Sequence, residues 1–479
     1  MSGQVVNKDG FVEVGGVEVR LQGEVITEVL DCPVYTNSGF GCSIYIPDYA
    51  KGKENLGLIL THDGLGKADA YAMDRLVKTG EMPPSVIIGI DGGMFRPTIE
   101  EGFRRYLRPI SYDVNCPLFA DWVVDEVIPY FAKKYNLSLS DSPDMHVVMG
   151  GSSGGLSAWT FAWERNDFFH RVYMSSPSFL AMANGDAHLK LIRKCEPKPL
   201  RVFSEYSENE PDNFFGSSFN VADGAERALK YSGYDAEFRY YPGEGHCSRG
   251  GDPESAVERQ RFLWKNWDSE PVAIKKLSKI AELVIEIGEG WQRAEAPFPE
   301  KVKAVSNGKF TAKGEYTACG GKIIFTDDMG ESRVVADGFG EITALVIAPD
   351  KWRLHVGDKI RGCGYTMPIL KDGSLGRKVI HGYLEKKTDF EFPGIFDMCA
   401  DAEDRIYAAT EIGVQCIRGG GLVDLILENP EGRTAVDKIE MGDDGCLYAL
   451  CGDRVYRRKL KDKKPIDPDE ISEPTMLGY

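Results

Sequence analysis

The sequence predicts two domains, an α/β domain whose mostly parallel sheet has helices on both faces and an all-β, propeller-like domain after it. At 479 residues the chain is too long for one ordinary domain. Short apolar runs alternate with helical patterns from about Leu56 to Trp267, and short strands with Gly and Asp turns follow. We therefore place the α/β domain at residues 1–268, a connecting segment at 269–284 and the all-β domain at 285–479.

The elements of the first domain follow in chain order. Antiparallel strands before Leu56 lead into a sheet of apolar runs, and the alternation of such runs with helices favours parallel strands. The strands and helices are LGLILTHDG, SVIIGIDGG, FADWVVDEVIPYFAKKY, MHVVMG, LSAWTFAWER, PLRVFSEY, FNVADGAERALKYSGY, AEFRYYPGEGH and ESAVERQRFLWKNW.

The all-β domain contains two similar units, DAEDRIYAAT and GDDGCLYALC. They place Tyr407 and Tyr448 41 residues apart, and propeller blades repeat every ~40–45 residues. Short strands at regular intervals also suit a sandwich, but the spacing favours a propeller. The region Ile285–Leu460 has room for about four blades at that length.

Composition excludes several classes of partner. A formal net charge of −17 argues against nucleic acid or an anionic membrane as the main partner. No apolar run approaches the ~20 residues of a membrane span, and the first residues lack the basic and apolar regions of a secretory signal. Eleven cysteines without C-x-x-C pairs fit reduced thiols. We expect a cytoplasmic protein with neither a membrane nor a nucleic-acid partner.

The segment HVVMGGSSGGLSAWTFAWER contains a G-x-S-x-G pattern in two overlapping registers. A strand-like run precedes it and a helical pattern follows it, which is the context of the nucleophile elbow in an α/β-hydrolase domain. The positions two before and two or three after the nucleophile must be small, since the helix folds tightly against the strand. With Ser152 at the apex all three are glycine, whereas with Ser153 one of them is Leu156. We predict Ser152 as the nucleophile.

A serine nucleophile requires a base, an acid and an oxyanion hole. The base is predicted as His246, in the loop YYPGEGHCSRGG between the last strand and the last helix. The acid precedes the base in the chain of an α/β-hydrolase, and both Glu210 and Asp212 follow the strand PLRVFSEY at a suitable place. Between these two the sequence leaves the choice open.

Backbone N–H groups are expected to form the oxyanion hole. The first donor is Ser153, which follows the nucleophile. The second lies in the loop THDGLGK, at Gly64 or Leu65.

The motifs LTHDG, VVDEVIPYF, GGSSGGLSAW and GEGH resemble the esterase-D-like family, which includes enterochelin, feruloyl and acetyl-xylan esterases. The resemblance covers about Val25 to Trp267. It implies a carboxylic ester hydrolase with a Ser–acid–His triad and no cofactor for its chemistry, with Ser152 as nucleophile and His246 as base. The family's G-x-x-D acid motif is altered here, because Ser207 and Glu210 occupy its glycine and aspartate positions.

The second half resembles the gluconolactonase/regucalcin propeller family, most clearly in GIFDMCADAEDRIYAATEIGVQ. That family holds a divalent cation through Glu, Asn and Asp. Glu295 and Asp397 match the first and last of these positions, while Thr343 takes the place of the asparagine. Because a threonine is a poorer ligand and the region is short, we expect a shortened, non-catalytic propeller.

The leading functional hypothesis is a serine esterase that acts on a small-molecule ester, either carbohydrate-linked or of the siderophore type. One alternative is a bifunctional esterase and sugar lactonase with a divalent cation in the propeller. The other is a non-catalytic carbohydrate- or siderophore-binding protein. Four arginines in one loop could contact a carboxylate or a polyhydroxyl substrate, or form surface ion pairs; they are Arg96, Arg104, Arg105 and Arg108.

Overall fold

The computed structural model describes residues 4–7, 11–14, 16–98, 102–386, 394–432 and 435–473. The chain divides into two compact units. Unit 1 comprises Met1–Arg193 and Pro197–Lys276, and unit 2 comprises Lys194–Glu196 and Leu277–Tyr479. The main boundary falls inside the segment 269–284 that the sequence predicts as a connection.

The strands of unit 1 share one large sheet, apart from two small hairpins. They are β1 (Gln4–Asn7), β2 (Phe11–Val14), β3 (Val17–Arg20), β4 (Gly23–Asp31), β5 (Ser38–Pro47), β6 (Gly57–His62), β7 (Ser85–Ile90), β8 (Met94–Phe95), β9 (Arg105–Tyr106), β10 (His146–Gly151), β11 (Arg171–Ser175), β12 (Arg201–Asn209), β13 (Asp212–Asn213), β14 (Gly216–Ser217) and β15 (Asp235–Gly245).

The large sheet has the order β1-β4-β5-β7-β6-β10-β11-β12-β15, with β8 beside β5 and β9 beside β8. All neighbours from β7 to β15 are parallel. Strands β1, β4 and β5 pair antiparallel, and β5 joins β7 in the same way. The prediction of a mostly parallel sheet entered through antiparallel strands is confirmed.

Helices connect the parallel strands. They are α1 (Lys67–Thr79), α2 (Arg108–Tyr112), α3 (Leu118–Trp122), α4 (Ile128–Lys134), α5 (Ser153–Glu164), α6 (Ala187–Lys194), α7 (Ser218–Ser232) and α8 (Pro253–Leu263). None of the helices in the described ranges is both long enough and apolar enough to cross a membrane.

The segment between α3 and α4 is a π-helical turn, Val123–Val127, so the single helix predicted there is interrupted. Ile128 donates its N–H to Val123 O, one residue further back than in an α-helix. The next residue is Pro129, which has no N–H to continue the regular pattern, and a widened turn accommodates this loss.

Both faces of the parallel sheet are buried. Ile59, Ile87 and Val147 belong to one apolar cluster with residues of α1 and α8. Their strand neighbours Leu58 and Val148 point to the opposite face, since side chains alternate along a strand, and they are also fully buried. This arrangement explains why these strands consist of continuous apolar runs.

A buried ion pair joins α8 to α1. The guanidinium of Arg259 donates to both carboxylate oxygens of Asp69, at 2.8 and 3.0 Å. Gln260 donates to the same carboxylate at 2.9 Å. The side chains of Arg259 and Asp69 are only 0% and 7% exposed, so neither charge can be compensated by water.

The strands of unit 2 form four separate four-stranded antiparallel sheets in the described ranges. They are β16 (Gln292–Arg293), β17 (Lys303–Ser306), β18 (Gly314–Cys319), β19 (Lys322–Asp327), β20 (Ser332–Ala336), β21 (Ile342–Ile347), β22 (Arg353–Asp358), β23 (Cys363–Pro368), β24 (Val379–Tyr383), β25 (Asp397–Ala400), β26 (Ile406–Thr410), β27 (Gly413–Arg418), β28 (Leu422–Leu427), β29 (Lys438–Met441), β30 (Cys446–Cys451) and β31 (Arg454–Lys459).

Three of these sheets are formed by consecutive strands, β17–β20, β21–β24 and β25–β28. The fourth has the order β16-β31-β30-β29, so the first strand of the unit completes the last sheet. A cavity of about 440 Å³ is lined by residues of β17, β21, β25 and β29, one strand from each sheet. The all-β prediction is confirmed.

We expect Asp69→Ala to lower the free energy of unfolding of unit 1 by about 3–5 kcal/mol, since it leaves the Arg259 charge buried and unpaired. The measurement is urea denaturation followed by tryptophan fluorescence. A matched control is Arg261→Ala, which removes an exposed pair with Glu81 next to the same two helices; it should cost less than about 1 kcal/mol. Equal losses in both variants would contradict the role of burial.

Candidate active site

Ser152 occupies the turn between β10 and α5. Its backbone has φ 57° and ψ −128°, a conformation that L-residues rarely adopt. The Ser152 N–H donates to Ser175 O at 2.8 Å, and the Ser152 carbonyl accepts from Leu156 and Gly155 in the first turn of α5. The geometry is that of a strained nucleophile elbow, with the serine at its apex.

Small residues are required on both sides of this turn. A Cβ on Gly150 would lie 2.1 Å from Gly154 O, which no real Cβ can do. A Cβ on Gly154 would lie 3.0 Å from the carboxylate of Asp63, and one on Gly155 would lie 3.2 Å from Gly150 O. These three positions are the ones that the sequence argument assigns to an apex at Ser152.

Ser153 is buried at the first position of α5. Its side chain interacts with Asp113, a buried carboxylate whose pKa is raised to about 6 by desolvation. The Ser153 side chain is thus engaged away from the elbow. Its backbone N–H lies among the first N–H groups of a helix, which have no partner within the helix.

His246 follows β15, and Glu210 follows the adjacent strand β12. The ring Nδ1 of His246 hydrogen-bonds Glu210 Oε2. Ser176 Oγ and Ser207 N–H both donate to Glu210 Oε1, at 2.5 and 3.0 Å. The Glu210 side chain is completely buried, whereas that of His246 is 29% exposed. A fully hydrogen-bonded carboxylate therefore orients a partly accessible imidazole.

Asp212, the other candidate acid, lies elsewhere. It belongs to the two-residue strand β13, is exposed, and pairs with Ser217 across a small hairpin. The structure thus brings Glu210, and not Asp212, to His246.

The electrostatics of the pair favour ionisation. Burial tends to raise the pKa of Glu210, but hydrogen bonds from His246, Ser176 and Ser207 lower it below its usual value. The pKa of His246 is raised, first by the side chain of Cys247 and next by Glu210. Cys247 also donates its N–H to Ser176 Oγ at 3.0 Å, which links the two loops.

Other histidines of unit 1 are structural. Both ring nitrogens of His62 are engaged, by Met149 O and Ser157 Oγ, and burial lowers its pKa to about 4. His188 is buried and hydrogen-bonds Trp159 and Thr160. His170 pairs with Asp144 at 3.0 Å.

The predicted oxyanion loop follows β6, the parallel neighbour of β10. Gly64 has φ 93°, and its N–H already donates to Ile90 O at 3.2 Å. Thr61 Oγ1 donates to Gly64 O at 2.7 Å. A Cβ on Gly89 would lie 2.6 Å from Leu65 N, so a glycine in β7 permits the loop to approach the sheet. Within the described ranges the N–H of Leu65 makes no such hydrogen bond to the sheet, so of the two predicted residues Leu65 is the better candidate for the oxyanion donor.

A cavity of about 350 Å³ opens at Ser152. Its lining includes Asp63, Arg108 and Cys247. Ser152 Oγ lies 3.3 Å from Ser178 Oγ. Within the described residues no hydrogen bond joins Ser152 to His246. Catalytic hydrogen bonds are often long without substrate and tighten when it binds.

Several residues of this site were missed by sequence reasoning. Ser176 and Ser178 follow β11 in the small-residue run SSPS, which resembles the elbow run and was the available signal. Cys247 is adjacent to the predicted base. No sequence motif marks Asp113, because only folding brings it close to Ser153.

The residues at the predicted metal-ligand positions of unit 2 have different environments. Glu295 is exposed, just after β16. Asp397 begins β25 and is buried. Thr343, at the position of the family's asparagine, donates its hydroxyl to Ile395 O at 2.6 Å. No cluster of three or more His, Cys, Asp or Glu side chains in the described ranges is arranged for a metal.

A lysine ammonium occupies the place beside Asp397. Lys301 Nζ lies 3.2 Å from Asp397 Oδ2 and 2.9 Å from Glu440 Oε2, and it donates to Ile439 O. Asp397 also accepts the N–H groups of Met398 and Ile439. Burial opposes the charge of Lys301, yet its acidic neighbours hold its pKa above the usual value. With its oxygens satisfied by a cation of the chain itself, this donor set does not fit a divalent metal.

Comparison with known proteins identifies the chemistry of unit 1. A family model described as "Putative esterase" matches residues 34–237. The matched region contains Ser152, Glu210 and both residues predicted for the oxyanion loop. The chain contains an esterase domain and is a carboxylic ester hydrolase. No curated protein matches it.

The solved structures that match this chain include the following three. A ferulic acid esterase is 19% identical over 51% of this chain and 99% of its own, with a TM-score of 0.39. The enterobactin esterase FES from Shigella flexneri is 20% identical over 50% of this chain and 60% of its own, with a TM-score of 0.37. The BES protein from Bacillus cereus is 17% identical over 55% of this chain and 97% of its own, with a TM-score of 0.36.

We expect Glu210→Gln to lower kcat/KM for ester hydrolysis about a thousand-fold or more, because the imidazole loses the carboxylate that orients it. With His246 as the predicted base, we expect activity to require the neutral imidazole and so to rise with pH through the raised pKa of that residue. Without Glu210 this pKa falls, and the acidic limb of the pH profile should move to lower pH. The matched control Asp212→Asn should change kcat/KM less than about threefold. A larger loss in Asp212→Asn would contradict this assignment.

We expect Lys301→Met to lower the free energy of unfolding of unit 2 by about 3–5 kcal/mol, since two carboxylates lose their shared cation. Lys303→Met is the matched control, because Lys303 is half-exposed and its ion pair with Glu315 is long, at 3.6 Å. Chemical denaturation measures both. EDTA should leave the unfolding midpoint of the wild type unchanged, and a midpoint that falls with EDTA would contradict the conclusion that the donor set does not fit a metal.

Proposed function

We propose that the chain is a serine esterase in which Ser152 is the nucleophile, His246 the base and Glu210 the acid. The observation that carries this proposal is the combination of a strained serine at the elbow with a buried carboxylate against the histidine. Ser152, Glu210 and His246 follow parallel strands of one sheet, and the carboxyl ends of parallel strands meet at the same edge.

The reaction would begin with proton transfer. With Nδ1–H bound by Glu210, the other ring nitrogen of His246 is the acceptor for the Ser152 proton. The Ser152 oxygen then attacks the ester carbonyl, and the imidazolium returns the proton to the leaving alcohol. Water, activated by the same imidazole, releases the acid from the acyl-enzyme. A raised pKa of His246 favours the imidazolium that both steps form.

The oxyanion that forms in each step needs preorganised donors. The Ser153 N–H lies directly after the nucleophile. The Leu65 N–H is the second donor in this proposal, because the N–H of Gly64 is committed to Ile90. The hydroxyl of Ser153 would have no chemical role, since the side chain interacts with Asp113.

For the substrate we propose a carbohydrate-linked or siderophore-type ester. The motif resemblance of the first domain supports this class. The cavity at Ser152, about 350 Å³, is of the size that holds a small organic group.

For unit 2 we propose a four-bladed propeller without a catalytic role. Three sheets are four-stranded antiparallel meanders, the fourth is a three-stranded meander completed by β16, and one strand of each lines the same cavity. Completion of the last sheet by β16 would close the ring. A sandwich would instead need two sheets packed face to face. The occupation of Asp397 by Lys301 argues against the bifunctional lactonase.

We expect Ser152→Ala to reduce hydrolysis of p-nitrophenyl acetate about 10⁴-fold or more, because no other group can form the acyl-enzyme. Ser153→Ala is the matched control and should retain substantial activity, since the variant keeps the backbone N–H. A fluorophosphonate probe should label the wild type and fail to label Ser152→Ala.

Loss of activity in Ser153→Ala together with retention in Ser152→Ala would reject the proposed register. A wild type that neither hydrolyses esters nor reacts with the probe would instead support the alternative of a non-catalytic carbohydrate- or siderophore-binding protein. Gluconolactone hydrolysis that survives Ser152→Ala and is abolished by EDTA would support the bifunctional alternative.

A further inference from the structure

One charged pair lies in the wall of the Ser152 cavity. Arg108, the first residue of α2, donates from Nε and Nη2 to the two carboxylate oxygens of Asp63, both at 2.8 Å. Asp63 is the first residue after β6 and belongs to the predicted oxyanion loop. Both residues line the cavity with Ser152. The pair is therefore next to the position where an ester carbonyl must bind.

The pair has bonding capacity left for a ligand. Arg108 Nη1 has no hydrogen-bond partner among the described residues. The side chains of Arg108 and Asp63 are 34% and 42% exposed. A guanidinium fixed by a bidentate carboxylate has a defined direction, so the N–H groups of Nη1 are preorganised donors.

The backbone makes space for this pair at three points. A Cβ on Gly92 would lie 2.6 Å from Arg108 Cβ, and one on Gly154 would lie 3.0 Å from Asp63 Oδ2. Asp63 itself has φ 62°, in the left-handed region. An exposed ion pair alone stabilises a fold very little, so these accommodations are better explained by a function at the site than by stability.

We propose that Asp63 and Arg108 form a specificity subsite for a neutral, hydroxyl-bearing group of the ester substrate. The inference rests on the proposed serine esterase function and deepens it. Two neighbouring hydroxyls suit the pair, because one can accept from the free N–H groups of Arg108 while the other donates to Asp63. A substrate carboxylate bound to Arg108 would lie within a few ångströms of the Asp63 carboxylate, and the repulsion would offset much of the attraction.

The test compares matched esters with and without hydroxyls. The acyl pair is methyl 3,4-dihydroxybenzoate and methyl benzoate, and the alcohol pair is an O-acetylated methyl glucoside and cyclohexyl acetate. For at least one pair, Arg108→Gln should lower the ratio of kcat/KM for the hydroxylated ester to that for the plain ester about tenfold or more, because a hydrogen bond to a charged group is lost. Most of this change should be in KM.

The matched control is Arg96→Gln. Arg96 follows β8 and pairs with Asp31, but it is not part of the cavity lining. Its ratios should equal those of the wild type, and thermal unfolding of both variants checks that they are folded.

Equal losses of kcat/KM for all four esters in Arg108→Gln would overturn the proposal, because they would show that the pair only supports the oxyanion loop. Unchanged ratios in an active variant would also overturn it. So would a selective loss for monomethyl succinate, which would indicate an anion site. Failure of the underlying esterase function is distinguishable, since it would appear as hydrolysis that persists in Ser152→Ala.

Discussion

The backbone of Ser152, at φ 57° and ψ −128°, is the constraint on which the geometry around the site depends. Such a conformation costs on the order of 1–3 kcal/mol and persists only where its surroundings enforce it. The close contact between Gly150 and Gly154 enforces this conformation. The end of β10 and the start of α5 can approach so closely only because neither residue has a side chain. The same close approach places Gly154 against Asp63, so the steric demand of the elbow extends to the neighbouring loop.

Parallel strands determine which other residues can reach Ser152. Strands β6, β10, β12 and β15 run in one direction, so the loops that follow them share an edge. Each contributes one component: the loop of Leu65 after β6, Glu210 after β12 and His246 after β15. No pair of these residues is close in sequence. The hydrogen bonds of Ser176 to Glu210 and to Cys247 N–H then fix two of these loops relative to each other.

Local sterics explain what the sequence could and could not predict. The position of Ser152 at the apex of the turn was predictable, because the requirement for small residues acts within five positions of the chain. Glu210 and Asp212 were inseparable in sequence, since they are two residues apart in one loop and only folding buries the first and exposes the second. The π-helical turn before Pro129 was missed because apolar spacing does not register one extra residue in a turn. The motif drew attention to Asp397 as a metal ligand, but its partner Lys301 lies 96 residues away and leaves no local signal.

Three of the carboxylates that pair with a cation from a distant segment differ in solvent exposure, and this difference separates what they do. Asp69 with Arg259 and Asp397 with Lys301 are nearly inaccessible, so each cation compensates a charge that the fold has buried. Asp63 with Arg108 has the same bidentate chemistry as the first pair but retains access to the cavity. A buried guanidinium with all its donors engaged cannot select a ligand. A half-exposed one with an unused edge, held beside the nucleophile, can do so without an additional binding element.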